Sequence, residues 1–281
     1  MLKQRIITAL ILAPIVVGGL FFLPPMGFAL FTAAALAIAG WEWANMAGFS
    51  QQRGRCLYAA GLLLLMGLLY QLPAAAVLPV LWLTLIWWLL ALALVIAHPR
   101  GQAISGHRGL RLLMGVPVLV GAWLGLNHLR AGELTLGQWD NNLFLILYTF
   151  VVVWGADIGA YFTGRHFGGR KLAPHVSPGK SWAGVYGGLA VVLLLAMGVS
   201  WLAGLSPGQA VLLVAVSLFT AGASVLGDLL ESLLKRVRGI KDSSQLLPGH
   251  GGVMDRVDSL VAAIPVLAFC FTQLGWLTPV A

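Results

Sequence analysis

The sequence predicts an all-α, polytopic transmembrane bundle of about nine spans with its N-terminus in the cytoplasm. Three observations predict it. Only 9% of the 281 residues are charged and 59% are hydrophobic, whereas a soluble globular chain carries roughly 25% charged residues. The apolar residues fall in repeated runs close to the roughly 20 residues that cross a bilayer. The basic residues gather in alternate connections between those runs, as the positive-inside rule requires.

The first run, 5–24, follows Lys3 and Arg5 and resembles a signal peptide. Its apolar stretch of about eighteen residues is long for a signal core, and no small-residue cleavage site follows, so it reads as a retained span. Pro24–Pro25 turns the chain into the second run, 27–48. The third and fourth, 55–72 and 75–97, are joined by a short turn at 71–74. The remaining spans are expected at 109–128, 142–163, 182–204, 208–234 and 257–278, with Pro207 marking another tight turn. Residues 1–141 thus hold roughly five N-terminal spans. Residues 142–281 form a C-terminal region with two basic cytoplasmic loops.

With the N-terminus inside, the inside segments hold 16 of the 17 basic residues, and only Arg130 falls outside. The formal net charge of +8 is therefore a product of topology, not a nucleic-acid footprint on one soluble face. The two cysteines, Cys56 and Cys270, lie in or beside apolar runs and read as buried free thiols. Gly184, Gly187 and Gly188 stand at spacings that let helices approach closely.

The charged residues near the C-terminus need a separate reason. Asp157 is expected about six residues before the inner end of span six, roughly 9 Å inside it. Ser224, Asp228, Glu231, Ser232 and Lys235 recur at helical spacing and share one face of span eight. Asp255 and Asp258 open span nine on one face, beside a positive helix N-terminus. Acids inside a membrane are expensive, and by default they are paired or functional. Oxygen ligands from two helices suit a hard cation such as Mg²⁺ that also binds phosphate. Lys235, Arg236, Arg238, Lys241, His250 and Arg256 are interleaved with them as anion-holding cations. Gly249, Gly251 and Gly252 leave backbone N–H groups open to an anion. The loop 164–180 repeats the theme with Arg165, Arg170, Lys171 and Lys180. Together these predict a phosphate-handling site at the membrane surface. A transporter would place its charge near mid-membrane in broken helices.

At these residues the chain resembles the phosphatidate cytidylyltransferases, or CDP-diacylglycerol synthases. Their signature S-x-x-K-R, four residues, K-D, then H-G-G-x-x-D-R-x-D, finds counterparts in Ser232, Lys235–Arg236, Lys241–Asp242, His250–Gly251–Gly252, Asp255–Arg256 and Asp258. A second similar stretch runs from Ala156 to Gly184, so the resemblance covers roughly the C-terminal half. Ala183 departs from it, standing where relatives often carry Glu or Gln. The resemblance implies transfer of CMP from CTP to phosphatidic acid, giving CDP-diacylglycerol and pyrophosphate, at the cytoplasmic face of a bacterial-type inner membrane. It implies Mg²⁺, with a second cation such as K⁺ and a homodimer left open. The expected metal ligands are Asp228 and Asp255, with Asp258, Glu231 and Asp157 as ligands or close neighbours. Lys235, Arg236, Lys241 and Arg256 are expected to hold phosphate oxygens, and His250 to orient a phosphate or the leaving group. Lys180, Ser232, Gly251 and Gly252 are expected to position substrate. The rival readings are a transporter of an anionic lipid or ion and a CTP-dependent lipid kinase.

Overall fold

The computed structural model describes residues 2–100, 105–138 and 141–278. The side chains of Lys3 and Arg5, where the orientation argument begins, lie outside the described ones. The helices are α1 (Leu2–Phe22), α2 (Pro25–Met46), α3 (Gln52–Tyr70), α4 (Val77–Ala97), α5 (Arg108–Ala131), α6 (Asn142–Phe167), α7 (Trp182–Leu202), α8 (Pro207–Arg238), α9 (Met254–Val257) and α10 (Leu260–Gln273). Among the described residues, seven helices are long and apolar enough to cross a membrane. The first and last predicted spans coincide with shorter apolar stretches, Leu10–Phe22 and Leu260–Gln273. The chain is an all-α integral membrane protein.

Two short antiparallel pairs interrupt the helices. Strand β1 (Glu133–Leu134) pairs with β4 (Leu277–Thr278), and β2 (Lys171–Ala173) pairs with β3 (Ser177–Ser181). The predicted loop at 164–180 is therefore largely a hairpin. Gly168 and Gly169, with φ of 59° and 81°, supply the left-handed backbone that turns the chain out of α6 into it. At its far end the Ser181 side chain accepts from the Gly184 N–H and starts α7.

The ends of α8 are equally well marked. Ser206 and Gln209 form a capping box ahead of Pro207, and Gly239 closes the helix with φ of 75°. Its 32 residues span about 48 Å, well beyond a hydrocarbon core of about 30 Å. The helix is therefore long enough for its last turns, with Ser232 to Arg238, to reach past an apolar slab of that thickness.

Helix α10 sits at the centre, packed by α4, α5 and α8. Nearly every residue from Val261 to Phe271 is buried, as expected of a helix that is apolar all round. It differs from the predicted span 257–278. The chain breaks at Asp258–Ser259, and α9 is a separate four-residue turn. Asp255 and Asp258 thus do not stand in the first turn of one long helix. Asp258 instead accepts from the Ser259 N–H at 2.8 Å. Asp157 also differs from expectation, because α6 runs to Phe167 and leaves Asp157 ten residues from its end. Cys56 is exposed, not buried.

The glycines of α7 do what their spacing predicts. A Cβ at Gly188 would lie 2.6 Å from the Ala156 carbonyl oxygen, and one at Gly184 would lie 2.9 Å from that of Ala160. Side chains there would push backbone against backbone. Gly188→Val is expected to destabilise the protein by about 1–3 kcal/mol through overpacking. Gly198→Ala, with nothing within 4 Å of its added Cβ, should change little. Unfolding of both variants in detergent checks this.

Candidate active site

Three parts of the chain meet around the end of α8: the β2–β3 hairpin with α6, the loop 239–253 leading into α9, and the C-terminal end of α2. Lys180, on β3, pairs with Asp228 of α8 at 2.6 Å, and each side chain is about a quarter exposed. Ser232, one turn on, donates to the other Asp228 oxygen at 3.2 Å. Asp157 and Asp258 both act on this group electrostatically, Asp157 from α6 and Asp258 from the break before α10.

Asp157, Lys180 and Asp228 line one polar end of a cleft of about 540 Å³ between α6, α7 and α8. The other walls are largely apolar and include Leu92, Val185, Leu189 and Val225. A polar mouth on an apolar slot suits an amphiphile with an anionic head.

The second cluster lies one to two turns further along the same face of α8. Lys235 contacts Glu231 at 2.5 Å and Asp255 at 2.7 Å. Glu231 is 1% exposed. Asp255 also accepts from the Ser243 N–H at 2.9 Å, the Ser243 hydroxyl at 2.8 Å and the Gly252 N–H at 2.7 Å. Burial pushes the Asp255 carboxyl up, but the Lys235 ammonium and these donors outweigh it and hold the group below its ordinary value. The stability this contributes is full at neutral pH. It is lost as pH falls below the unperturbed value of 3.8 toward the lower folded one. Loop 243–254 is therefore expected to loosen only below about pH 4, read as faster amide exchange there.

The glycines of this loop have definite tasks. Gly251 has φ of 81°, and a Cβ on it would lie 2.7 Å from Asp255 Oδ2. A Cβ on Gly252 would run into Ser243 Oγ and the Glu42 carboxylate. The backbone N–H of Gly252 does approach an anion closely, and in this structure that anion is the Asp255 side chain.

The predicted cations differ in their surroundings. Arg236 is exposed and donates to the Val176 carbonyl at 3.3 Å. The side chains of Lys241 and Arg256 are exposed and make no hydrogen bond or ion pair among the described residues. The His250 backbone N–H donates to Leu247 O at 2.9 Å, and its buried Nδ1 has no partner among the described residues.

The predicted acids do not form one cluster. Asp228 opens on the cleft, whereas Asp255 is held by Lys235, Ser243 and Gly252 and does not line it. No group of three or more His, Cys, Asp or Glu is arranged as a metal site among the described residues. The donor set around Asp228 fits a hard cation in kind: carboxylate oxygens, a neighbouring hydroxyl and an open side. The set around Asp255 fits less well: its oxygens accept from the Ser243 N–H and hydroxyl, the Gly252 N–H and Lys235, whereas those of Asp228 accept only from Lys180 and Ser232.

Glu42 of α2 is the residue that sequence reasoning left without a role. It is 0% exposed. Its Oε1 accepts from Ser244 Oγ at 2.5 Å and the Val253 N–H at 3.0 Å, and its Oε2 accepts from the Met254 N–H at 2.6 Å. An acid between Trp41 and Trp43 inside an apolar run was the only signal of it in the sequence.

Comparison with known proteins agrees with this architecture. Residues 3–274 match the model of the Cytidylyltransferase family. A phosphatidate cytidylyltransferase of Pseudomonas aeruginosa is 52% identical over 99% of this chain and 100% of that protein. One from Haemophilus influenzae is 41% identical over 96% of this chain and 99% of its own. One from Bacillus subtilis is 44% identical over 46% of this chain and 47% of its own. A family match over nearly the full length, on a membrane bundle whose signature residues converge on two lysine–carboxylate clusters, makes this chain a member of the cytidylyltransferase family.

Proposed function

We propose that the chain is a membrane-embedded phosphatidate cytidylyltransferase with nine spans, a cytoplasmic N-terminus and its active site on the cytoplasmic face. A phosphatidate oxygen attacks the α-phosphorus of CTP. The bond from that phosphorus to the β-bridging oxygen breaks, and pyrophosphate leaves. The nucleophile is already an anion, so the protein's task is to bring two repelling anions together and to stabilise charge on the leaving group. The observation that carries the reading is the cleft beside Asp157, Lys180 and Asp228, polar at one end and apolar along its walls, in a chain of this family.

The apolar walls receive the acyl chains, and Lys180 receives the lipid phosphate. Arg236, Lys241 and Arg256 hold triphosphate oxygens from the exposed side, and His250 orients one of them. Ser232 keeps the Asp228 carboxylate turned toward the cleft. Mg²⁺, carried chiefly by Asp228 with Asp157 and Asp258 close by, would neutralise phosphate charge when bound. Glu231 and Asp255 act on Lys235.

The full-length protein, purified and given α-labelled CTP with phosphatidic acid in mixed micelles, tests this. The expected result is equal CDP-diacylglycerol and pyrophosphate, abolished by EDTA and restored by Mg²⁺. Release of CDP with a phosphorylated lipid would make it a lipid kinase. Absence of any nucleotide turnover, with phosphatidate carried across vesicles, would make it a transporter.

A further inference from the structure

We infer that Glu42 is the positioning residue of the catalytic loop, holding the segment 243–254 in the one conformation that lets Asp255 orient Lys235. This rests on the reading of Lys235 and Asp255 as parts of the transfer site.

The loop has little regular structure of its own. Between the end of α8 at Arg238 and the start of α9 at Met254 it forms no helix, and its one β-bridge pairs Leu247 with Gly251. A segment with so few backbone bonds of its own depends largely on side chains to hold its shape. Here the holders come from α2, about two hundred residues away in sequence. Glu42 accepts from Ser244 Oγ, the Val253 N–H and the Met254 N–H, so one carboxylate clamps both ends of the loop. The Ser243 hydroxyl lies between two carboxylates, 3.3 Å from Glu42 and 2.8 Å from Asp255. Its single proton goes to the nearer one. Three residues on, the Asn45 amide donates to the Ser243 carbonyl at 3.1 Å, and Arg238 Nε donates to the Asn45 carbonyl at 3.2 Å.

The result is a relay of position. Glu42 fixes Ser244, Val253 and Met254, and Asn45 of the same helix fixes the Ser243 carbonyl. Ser243 and Gly252 then fix both oxygens of Asp255. Asp255 holds Lys235 at 2.7 Å. Glu42 need touch no substrate to matter. Held donors and acceptors act in catalysis only when their own supports are rigid.

Glutamine has the same shape but cannot do the same work. With its oxygen at the Oε1 position, its NH₂ opposes the Met254 N–H. With the amide flipped, it opposes the Val253 N–H. Either way one buried backbone donor loses its acceptor. Glu42→Asp keeps the charge and withdraws it by one methylene, so it serves as the second variant where the first folds poorly.

The experiment compares wild type, Glu42→Gln, Glu42→Asp, Asp255→Asn and the double variant Glu42→Gln/Asp255→Asn, all as full-length protein. Amide exchange is followed first, because it does not need activity. Val253 and Met254 should be protected in wild type and lose protection in both Glu42 variants, while α8 and α10 keep theirs. In the transfer assay, kcat should fall at least tenfold in each Glu42 variant. The double variant should be no slower than Asp255→Asn within about threefold, because the two residues act through one path. Three results would overturn the inference: kcat within threefold of wild type, protection lost throughout the bundle, or losses that multiply in the double variant. If wild type shows no transfer at all, the proposed function fails while the exchange data still judge the clamp.

Discussion

Asp228→Asn is expected to lower CDP-diacylglycerol formation by two to three orders of magnitude, the usual cost of removing one fixed electrostatic group from a charge-stabilising site. The substitution is nearly isosteric, and the site is about a quarter exposed, so the fold should survive. The asparagine oxygen can still accept from Lys180 while its NH₂ donates to Ser232 Oγ, so neither neighbour is left without a partner. What disappears is the negative charge between Lys180, Asp157 and Asp258. In the proposed mechanism that charge is the main anchor for Mg²⁺. The loss should therefore appear in kcat and as a higher magnesium requirement, with little change in the apparent unfolding midpoint. Activity within tenfold of wild type at ordinary magnesium would end the proposed role of Asp228. Asp157→Asn, tested beside it, separates a ligand from a neighbour: a ligand shifts the magnesium requirement, whereas a mere neighbour does not.

Much of the architecture was legible because the bilayer imposes a coarse rule. A helix that crosses must be apolar for about 20 residues, and a missing charge is easy to see. Seven helices long and apolar enough to cross lie where the apolar runs are, and three glycines marked a close helix contact whose partner, α6, only the fold reveals. The face shared by Asp228, Glu231, Ser232 and Lys235 followed from helical spacing and holds in the structure. What the sequence did not show depends on contacts distant along the chain. The hairpin that delivers Lys180 to Asp228 is only eleven residues long and has no strand periodicity to read. Asp255 and Asp258 looked like one helix start because their spacing is helical. At the break between α9 and α10 the Asp258 carbonyl lies against Gly227 of α8, where a Cβ would collide with it. Glu42 sits in the half of the chain with no matching motif, and its partners lie some two hundred residues on.

The second large effect is expected at Lys235. Its ammonium stands between Glu231 and Asp255, and its side chain is only 14% exposed. Lys235→Met leaves two acid side chains facing each other with no cation between them. Removing one member of a buried ionic group in this way typically costs about 3–5 kcal/mol. The variant should therefore insert poorly or unfold at a clearly lower temperature. Adding Glu231→Gln removes one of the two facing acids and should recover much of the stability, although no lysine is present. Glu231→Gln alone leaves a neutral Lys235–Asp255 pair and should fold well. Stability and activity then part company in the double variant. A lysine that only balances charge would give back turnover together with stability. A lysine whose ammonium acts on phosphate leaves the rescued protein folded and inactive, and that is the expected outcome, since the cation that Asp255 and Glu231 are built to hold is gone.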